Sequence, residues 1–270
     1  MSMLLVFFPL WNVFYLCISE FILRKRINIL WIVHSYLIIL ILSIYTFWCV
    51  CILGNFQYFT IGTWINCGQF IVNWGFIFDS LSVSMLMMVT IISSCVHFYS
   101  IGYMRDDNSI IKFISYLSLF TFFMFILVTG DNFIQLFLGW EGIGLCSYLL
   151  ISFWNTRIQA NKSAIKALIL NRIGDFGFIC GLVLIFNFFR SVDFATVFIL
   201  TPFFSDIYFI FFSFEFSCLD TICFFLFLGS MGKSAQIGLH TWLPDAMEGV
   251  SKFGFSLKIF KFIAKVVKFC

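Results

Sequence analysis

The chain has 270 residues, 62% hydrophobic and only 11% charged, whereas soluble globular domains carry roughly 25% charged residues, so that class is excluded. The net charge of +3 excludes little by itself, because in a membrane chain the side occupied by each basic residue matters more than the sum. Several apolar runs reach the roughly twenty residues that span hydrocarbon, without the alternation of barrel strands. Only helices or closed barrels satisfy the backbone there, so the expected fold class is an all-α polytopic membrane protein with about seven transmembrane helices. No nucleic-acid partner is expected. The ten cysteines, at positions 17, 49, 51, 67, 95, 146, 180, 218, 223 and 270, include no C-x-x-C pair and read as small apolar packing residues.

The first span is expected over residues 3–23, closed by Arg24-Lys25-Arg26. Apolar sequence precedes that basic cluster, so no cleaved leader is expected. Residues 27–53 are long enough to cross again with tilt. Residues 54–74 are uncharged but rich in Asn, Gln, Gly and Trp, which reads as an interfacial loop or short re-entrant piece anchored by Trp64 and Trp74. Span three covers 75–100, entered through Asp79. Spans four and five, 113–128 and 133–153, are joined so tightly that they form an antiparallel hairpin. Residues 155–166 carry Arg157, Lys162 and Lys166 and read as a surface loop or interfacial helix before span six at 167–189. Residues 190–219 hold Asp193, Pro202, Asp206 and Glu215 and read as a long loop with a helical piece. Span seven covers 219–239.

Threading these spans puts Arg24, Lys25, Arg26, Arg105, Lys112, Arg157, Lys162, Lys166 and Lys252 on one face and Arg190 on the other. That asymmetry satisfies the positive-inside rule and places the N-terminus outside.

Four ionisable side chains fall inside spans: Glu141, Arg172, Asp175 and Lys233. A charge at the middle of a membrane helix costs roughly 2.5–3.5 kcal/mol on insertion scales, so each is a functional-site hypothesis. Arg172 and Asp175, spaced i and i+3, share a helical face and can pair locally. Glu141 lies roughly 12 Å and Lys233 roughly 21 Å into their spans from the acidic face, which makes them candidates for a proton-transfer pair. A merely structural bridge is the alternative, although a buried pair rarely stabilises better than apolar packing. Gly139, Gly142 and Gly144 surround Glu141, and Gly229, Gly232 and Gly238 surround Lys233; they either break helices to admit water or simply let backbones approach. His240, at the foot of span seven, is a candidate proton relay. The sequence Gly232-Lys233-Ser234 is no phosphate loop, because Phe227 stands where that motif needs glycine. His34 and His97 could in principle hold a haem between them, though packing histidines are the commoner case.

The strings FDSLSVSMLMMVT with HFYSIGYM, FLGWEGIGLCSYLLISFW, NRIGDFGF and GKSAQIGLHTWLPDAMEG together resemble the chain 5 family of NADH:ubiquinone oxidoreductase. This is the antiporter-like membrane subunit of respiratory complex I, related to Mrp-type cation/proton antiporters. The likeness covers about residues 73–249. It implies that Glu141 and Lys233 are the family's membrane glutamate and the lysine of its interrupted seventh helix, whose association and separation drive a proton. It also implies that Asp175 and Arg172 are the acid and base of its sixth helix. NADH, FMN, iron–sulfur clusters and ubiquinone would be bound by other subunits, with no cofactor or metal on this chain. A freestanding Mrp-type antiporter component is the alternative.

The likeness stops after Gly249, where the sequence reads VSKFGFSLKIFKFIAKVVKFC. The expected organisation is therefore three accessory spans over 1–110, an incomplete first antiporter-like repeat over 111–249 and a tail over 250–270. Lys258, Lys261, Lys265 and Lys268 recur in the tail with apolar residues between them, the pattern of a basic amphipathic helix lying on a membrane surface or against a partner. The expected partners are other membrane-arm subunits, a separate chain supplying the second half of the module, and lipids such as cardiolipin. The expected location is the mitochondrial inner membrane, with the basic face toward the matrix.

Overall fold

The computed structural model describes residues 2–22, 25–105, 107, 109–205, 207–211 and 214–246. The basic tail at 250–270 and the basic residues Arg24 and Lys252 lie outside the described residues. Among those described, six helices are long and apolar enough to cross a membrane. They are α1 (Ser2–Ile22), α2 (Lys25–Phe47, continued by a π-helical turn Trp48–Ile52), α3 (Ser80–Tyr103), α4 (Ile110–Thr129), α5 (Phe133–Ile151) and α6 (Ile158–Phe189). These are six of the seven expected spans; the seventh falls on α8 (Cys218–Lys233), which has 16 residues and ends at the lysine itself.

Three stretches differ from the sequence reading. Residues 54–74 are not a loop: a two-stranded sheet pairs β1 (Gln57–Cys67) with β2 (Phe70–Phe78) across a two-residue turn. That turn starts at Gly68 with φ +64, a left-handed conformation that glycine adopts without steric cost. Helix α3 accordingly starts later than expected, at a capping box in which the Asp79 carboxylate accepts from the Ser82 N–H at 2.8 Å and the Ser82 hydroxyl accepts from the Asp79 N–H at 3.0 Å. Residues 158–166 are no separate interfacial piece but the first turns of α6, which runs unbroken for 32 residues. The aromatic stretch before α8 contains α7 (Phe194–Leu200), a 3-10 turn (Thr201–Phe204) and a small antiparallel pair, β3 (Tyr208–Phe211) with β4 (Phe214–Ser217).

The chain forms two compact units. The first comprises the described residues of Met1–Phe59, Phe76–Thr129 and Leu138–Phe153. Here α1 packs on α2 and α4, and α3 packs on the same two helices, closing a four-helix ring around buried residues such as Leu5, Ile39, Leu86, Ile114 and Phe125. The ring also buries a polar cluster. The Tyr36 hydroxyl on α2 lies 3.2 Å from the Ser118 and Thr121 hydroxyls on α4. His97 on α3 stacks on the Tyr36 ring. Its Nδ1 lies 2.7 Å from the Ser93 carbonyl, so Nδ1 carries the proton and Nε2 accepts from the Ser118 hydroxyl at 3.3 Å. Both ring nitrogens are thus engaged, which removes His97 as a partner of His34 on a haem iron. The second half of α5 packs on α4 through glycine: a Cβ at Gly142 would lie 2.3 Å from the Phe123 ring, and one at Gly139 would lie 2.8 Å from the Leu127 backbone nitrogen. These two glycines serve close packing.

The second unit comprises the described residues of Thr60–Gly75, Gly130–Phe137 and Trp154–Cys270. Its α5 end is fixed by Asn132, whose Oδ1 accepts from the Gln135 N–H at 2.7 Å as a helix N-cap. The same side chain donates to the Asn73 carbonyl at 2.7 Å, tying this end to β2. An apolar core of Phe133, Phe178, Leu182, Ile185, Phe189, Val197 and Ile222 joins α5, α6, α7 and α8.

Candidate functional site

Helix α6 turns one stripe inward: Ala160, Ala164, Ala167, Asn171, Gly174, Asp175, Phe178, Leu182 and Ile185 are buried, at spacings of three and four residues. The stripe faces α8, and glycine sets how closely the two backbones meet. A Cβ on Gly174 would sit 3.0 Å from the Gly232 Cα, and one on Gly229 would sit 2.8 Å from the Phe178 Cβ. Small residues that let helix backbones touch replace the missing hydrophobic drive between helices in lipid. The seam has a chemical consequence, because the residues following the touching glycines are Asp175 and Lys233. The Lys233 Nζ lies 4.0 Å from the Asp175 Oδ1, with side-chain exposures of 7% and 4%.

Helix α8 ends at this point. Ser234 caps it, its N–H bonding the Ser230 carbonyl at 2.9 Å. Ala235 follows at φ +50, and the Gln236 N–H reaches back to the Met231 carbonyl at 3.2 Å. This is the six-to-one bond of a Schellman-type terminus, with alanine in the left-handed position that glycine usually fills. The buried carbonyl of Gly232 is taken up by the Trp242 indole N–H at 3.2 Å. Trp242 belongs to α9 (Trp242–Ala246), which packs on α6 and is further tied by a 2.5 Å ion pair from Asp245 to Lys166. Lys233 therefore occupies the last turn of an interrupted helix, where the negative end of the helix dipole favours a cation.

The other sequence candidates fall as follows. Arg172 is exposed on α6, while Asp175, one turn on, is buried against α8. Glu141 is half-buried on α5 in the first unit. His240, expected at the foot of a span ending at residue 239, is exposed in the segment between α8 and α9, because α8 ends earlier, at Lys233. Among the described residues no group of three His, Cys, Asp or Glu side chains could hold a metal ion. Sequence reasoning did not single out Asn171, Trp242 or the glycines of α6. The spacing of Gly174, Gly177 and Gly181 on one helix and of Gly229 and Gly232 on another carried the signal for the seam.

Comparison with known proteins places this chain in a family. Residues 64–114 match the family described as NADH-Ubiquinone oxidoreductase (complex I), chain 5 N-terminus, and residues 130–256 match NADH:quinone oxidoreductase/Mrp antiporter, TM. The chain is 60% identical over 187 residues to NADH-ubiquinone oxidoreductase chain 5 of Chondrus crispus, covering 69% of this chain and 28% of that one. It is 52% identical over 253 residues to the chain 5 of Acanthamoeba castellanii, covering 92% and 37%.

The chain belongs to the chain 5 family of NADH-ubiquinone oxidoreductase.

It spans roughly a third of the length of these chain 5 relatives, 28% and 37% of the two named. The antiporter-type match encloses Glu141, Asp175 and Lys233, and the N-terminal match encloses most of the β1–β2 hairpin and α3. In fold, the chain resembles a subunit in the structure of the membrane-bound sulfane sulfur reductase, an archaeal respiratory membrane complex. The TM-score is 0.74 at 17% identity, with 97% of this chain and 52% of the other covered. The shared fold and the six apolar helices make this chain 5 member a multi-pass membrane protein.

Proposed function

We propose that the chain is part of the membrane arm of a proton-translocating NADH:ubiquinone oxidoreductase and contributes half of an antiporter-like proton channel. The observation that carries this reading is the buried Lys233–Asp175 pair at the broken end of α8. A charge pair buried in apolar surroundings can cost more in desolvation than its attraction returns, so stability alone does not account for its place here. In the proposed cycle Lys233 holds the translocated proton and Asp175 balances its charge. Glu141 is a second anion for the lysine, and when redox chemistry elsewhere in the complex draws an anion away, the lysine gives up its proton. Arg172 is the alternative cation for Asp175, and His240, exposed beyond the helix break, relays the proton onward.

The three N-terminal spans within residues 1–110 are accessory, and 111–249 form the incomplete first antiporter-like repeat. NADH, FMN, iron–sulfur clusters and ubiquinone belong to other subunits. The chain sits in the mitochondrial inner membrane beside other membrane-arm subunits and lipids such as cardiolipin. Its N-terminus faces the intermembrane space and its basic loops face the matrix. The names of the relatives favour this reading over a freestanding antiporter. Replacing Lys233 by Met should lower the number of protons moved per electron pair while the complex still assembles on a native gel. An unchanged proton-to-electron ratio in the assembled variant refutes the proposal.

A further inference from the structure

Asn171 lies on the buried stripe of α6, one turn before Asp175, and is 6% exposed. Its backbone carbonyl is 3.8 Å from where a Cβ on Gly232 would lie, which puts this turn of α6 beside the residue preceding Lys233. The Asn171 Oδ1 is fully buried and accepts no hydrogen bond among the described residues. An unmet buried acceptor is costly, and in a native structure it calls for a partner such as an ordered water. Across the same seam, the Lys233 ammonium stands 4.0 Å from the Asp175 carboxylate. That is too long for a direct hydrogen bond and is the kind of separation across which a water is to be sought. A buried water needs two to four polar partners. Asn171 Oδ1, Asp175 Oδ1 and Lys233 Nζ supply two acceptors and one donor within one turn of one helix and the facing end of another.

We infer that Asn171 is a positioning residue for Lys233: its side-chain oxygen holds one bound water that bridges the ammonium to Asp175. The water donates to both oxygens and accepts from the ammonium, so the pair is coupled without direct contact. Lys233 then leaves Asp175 by exchanging a water contact and not by breaking a direct ion-pair contact. This inference rests on the proton-channel reading of Lys233.

The test compares Asn171→Ser with Asn171→Ala in the assembled complex. The two variants leave nearly the same space and differ by one oxygen. Serine keeps an acceptor for the water and should retain at least about half of coupled proton pumping, whereas alanine should lose about tenfold, the upper end for one neutral hydrogen bond. Equal losses in the two variants, or equal retention, overturn the inference, because a residue that only fills space cannot distinguish them. A density map of the unmodified complex that resolves waters is the second measurement. It should show a peak within hydrogen-bonding distance of all three atoms, and a map without that peak overturns the inference even if neither variant assembles. Either failure leaves the Lys233→Met result standing, so the two proposals fall separately.

Discussion

The glycine seam between α6 and α8 makes a graded prediction, because four of its five glycines, at positions 174, 181, 229 and 232, differ in what an added methyl would strike. Each Gly→Ala change gains up to about 1 kcal/mol of helix propensity, and overpacking costs about 1–3 kcal/mol, so the contact decides the sign. At Gly229 the Cβ would lie 2.8 Å from the Phe178 Cβ and 3.4 Å from its Cα, a rigid obstacle. At Gly174 and Gly232 it would lie 3.0 Å from the opposing glycine Cα. Ordinary carbon contacts are about 3.5–4.0 Å, so the helices must part by about half an ångström. At Gly181 it meets the flexible end of Leu226, with Cδ2 at 3.1 Å, and that end can turn aside. The expected order of destabilisation is Gly229→Ala, about 1–2 kcal/mol, then Gly174→Ala and Gly232→Ala, about 1 kcal/mol, then Gly181→Ala, about zero or slightly stabilising. The middle two also stretch the Asp175–Lys233 separation beyond 4.0 Å and should lose coupled pumping out of proportion to their stability. Thermal unfolding of the detergent-solubilised complex and the proton-to-electron ratio in vesicles read the two effects. If Gly181→Ala is as damaging as Gly229→Ala, or if all four variants match the wild type, the seam does not set the site.

Three further outcomes follow from the same geometry. Trp242→Phe keeps the ring but removes the indole N–H from the Gly232 carbonyl, so it should cost about 1–3 kcal/mol, visible as a lowered unfolding temperature; no change would mean that water replaces the bond. Ala235→Gly relieves a side chain held at φ +50 and should stabilise by about 1 kcal/mol, whereas a loss would show that the Ala235 methyl makes a needed contact. Burial pushes the Asp193 carboxyl above its ordinary value of 3.8, so its protonated form favours the fold. That contribution is complete below the ordinary value and is lost as pH rises through the raised one. The unfolding temperature of the wild type should therefore fall relative to Asp193→Asn across that window, and parallel pH curves would contradict the assignment.

The membrane class, six of the spans and the identity of the charged residues were legible in the sequence because long apolar runs and intramembrane charges are unambiguous at one residue's resolution. The β1–β2 hairpin was not, for a specific reason. Most of β1 is exposed on both faces, so Gln57–Cys67 lacks the alternation that marks a half-buried strand, and its Trp and Asn content looked interfacial. The end of α8 was misplaced from local pattern because Ser234-Ala235-Gln236-Ile237, the residues directly after Lys233, include neither proline nor glycine. What stops the helix is a left-handed alanine and an indole arriving from Trp242, nine residues beyond the lysine. Asp175 was read with Arg172 because i and i+3 are neighbours on a helix. Which neighbour turns toward α8 is fixed by Gly174 and Gly232, a relation between two helices that no single window contains.

The polar cluster of the first unit restricts how its helices can move. The Tyr36 hydroxyl ties α2 to Ser118 on α4, the Thr90 hydroxyl lies 2.9 Å from that of Ser43 and ties α3 to α2, and Ser118 bonds His97, tying α4 to α3. In apolar surroundings none of these groups has water to turn to, so sliding any one helix by a turn, about 5.4 Å, would strand the members of two ties at once. The three helices are thereby indexed against one another like teeth in a ratchet. Any displacement within this unit has to be a tilt or rotation of the trio as a block, with the register between its members unchanged.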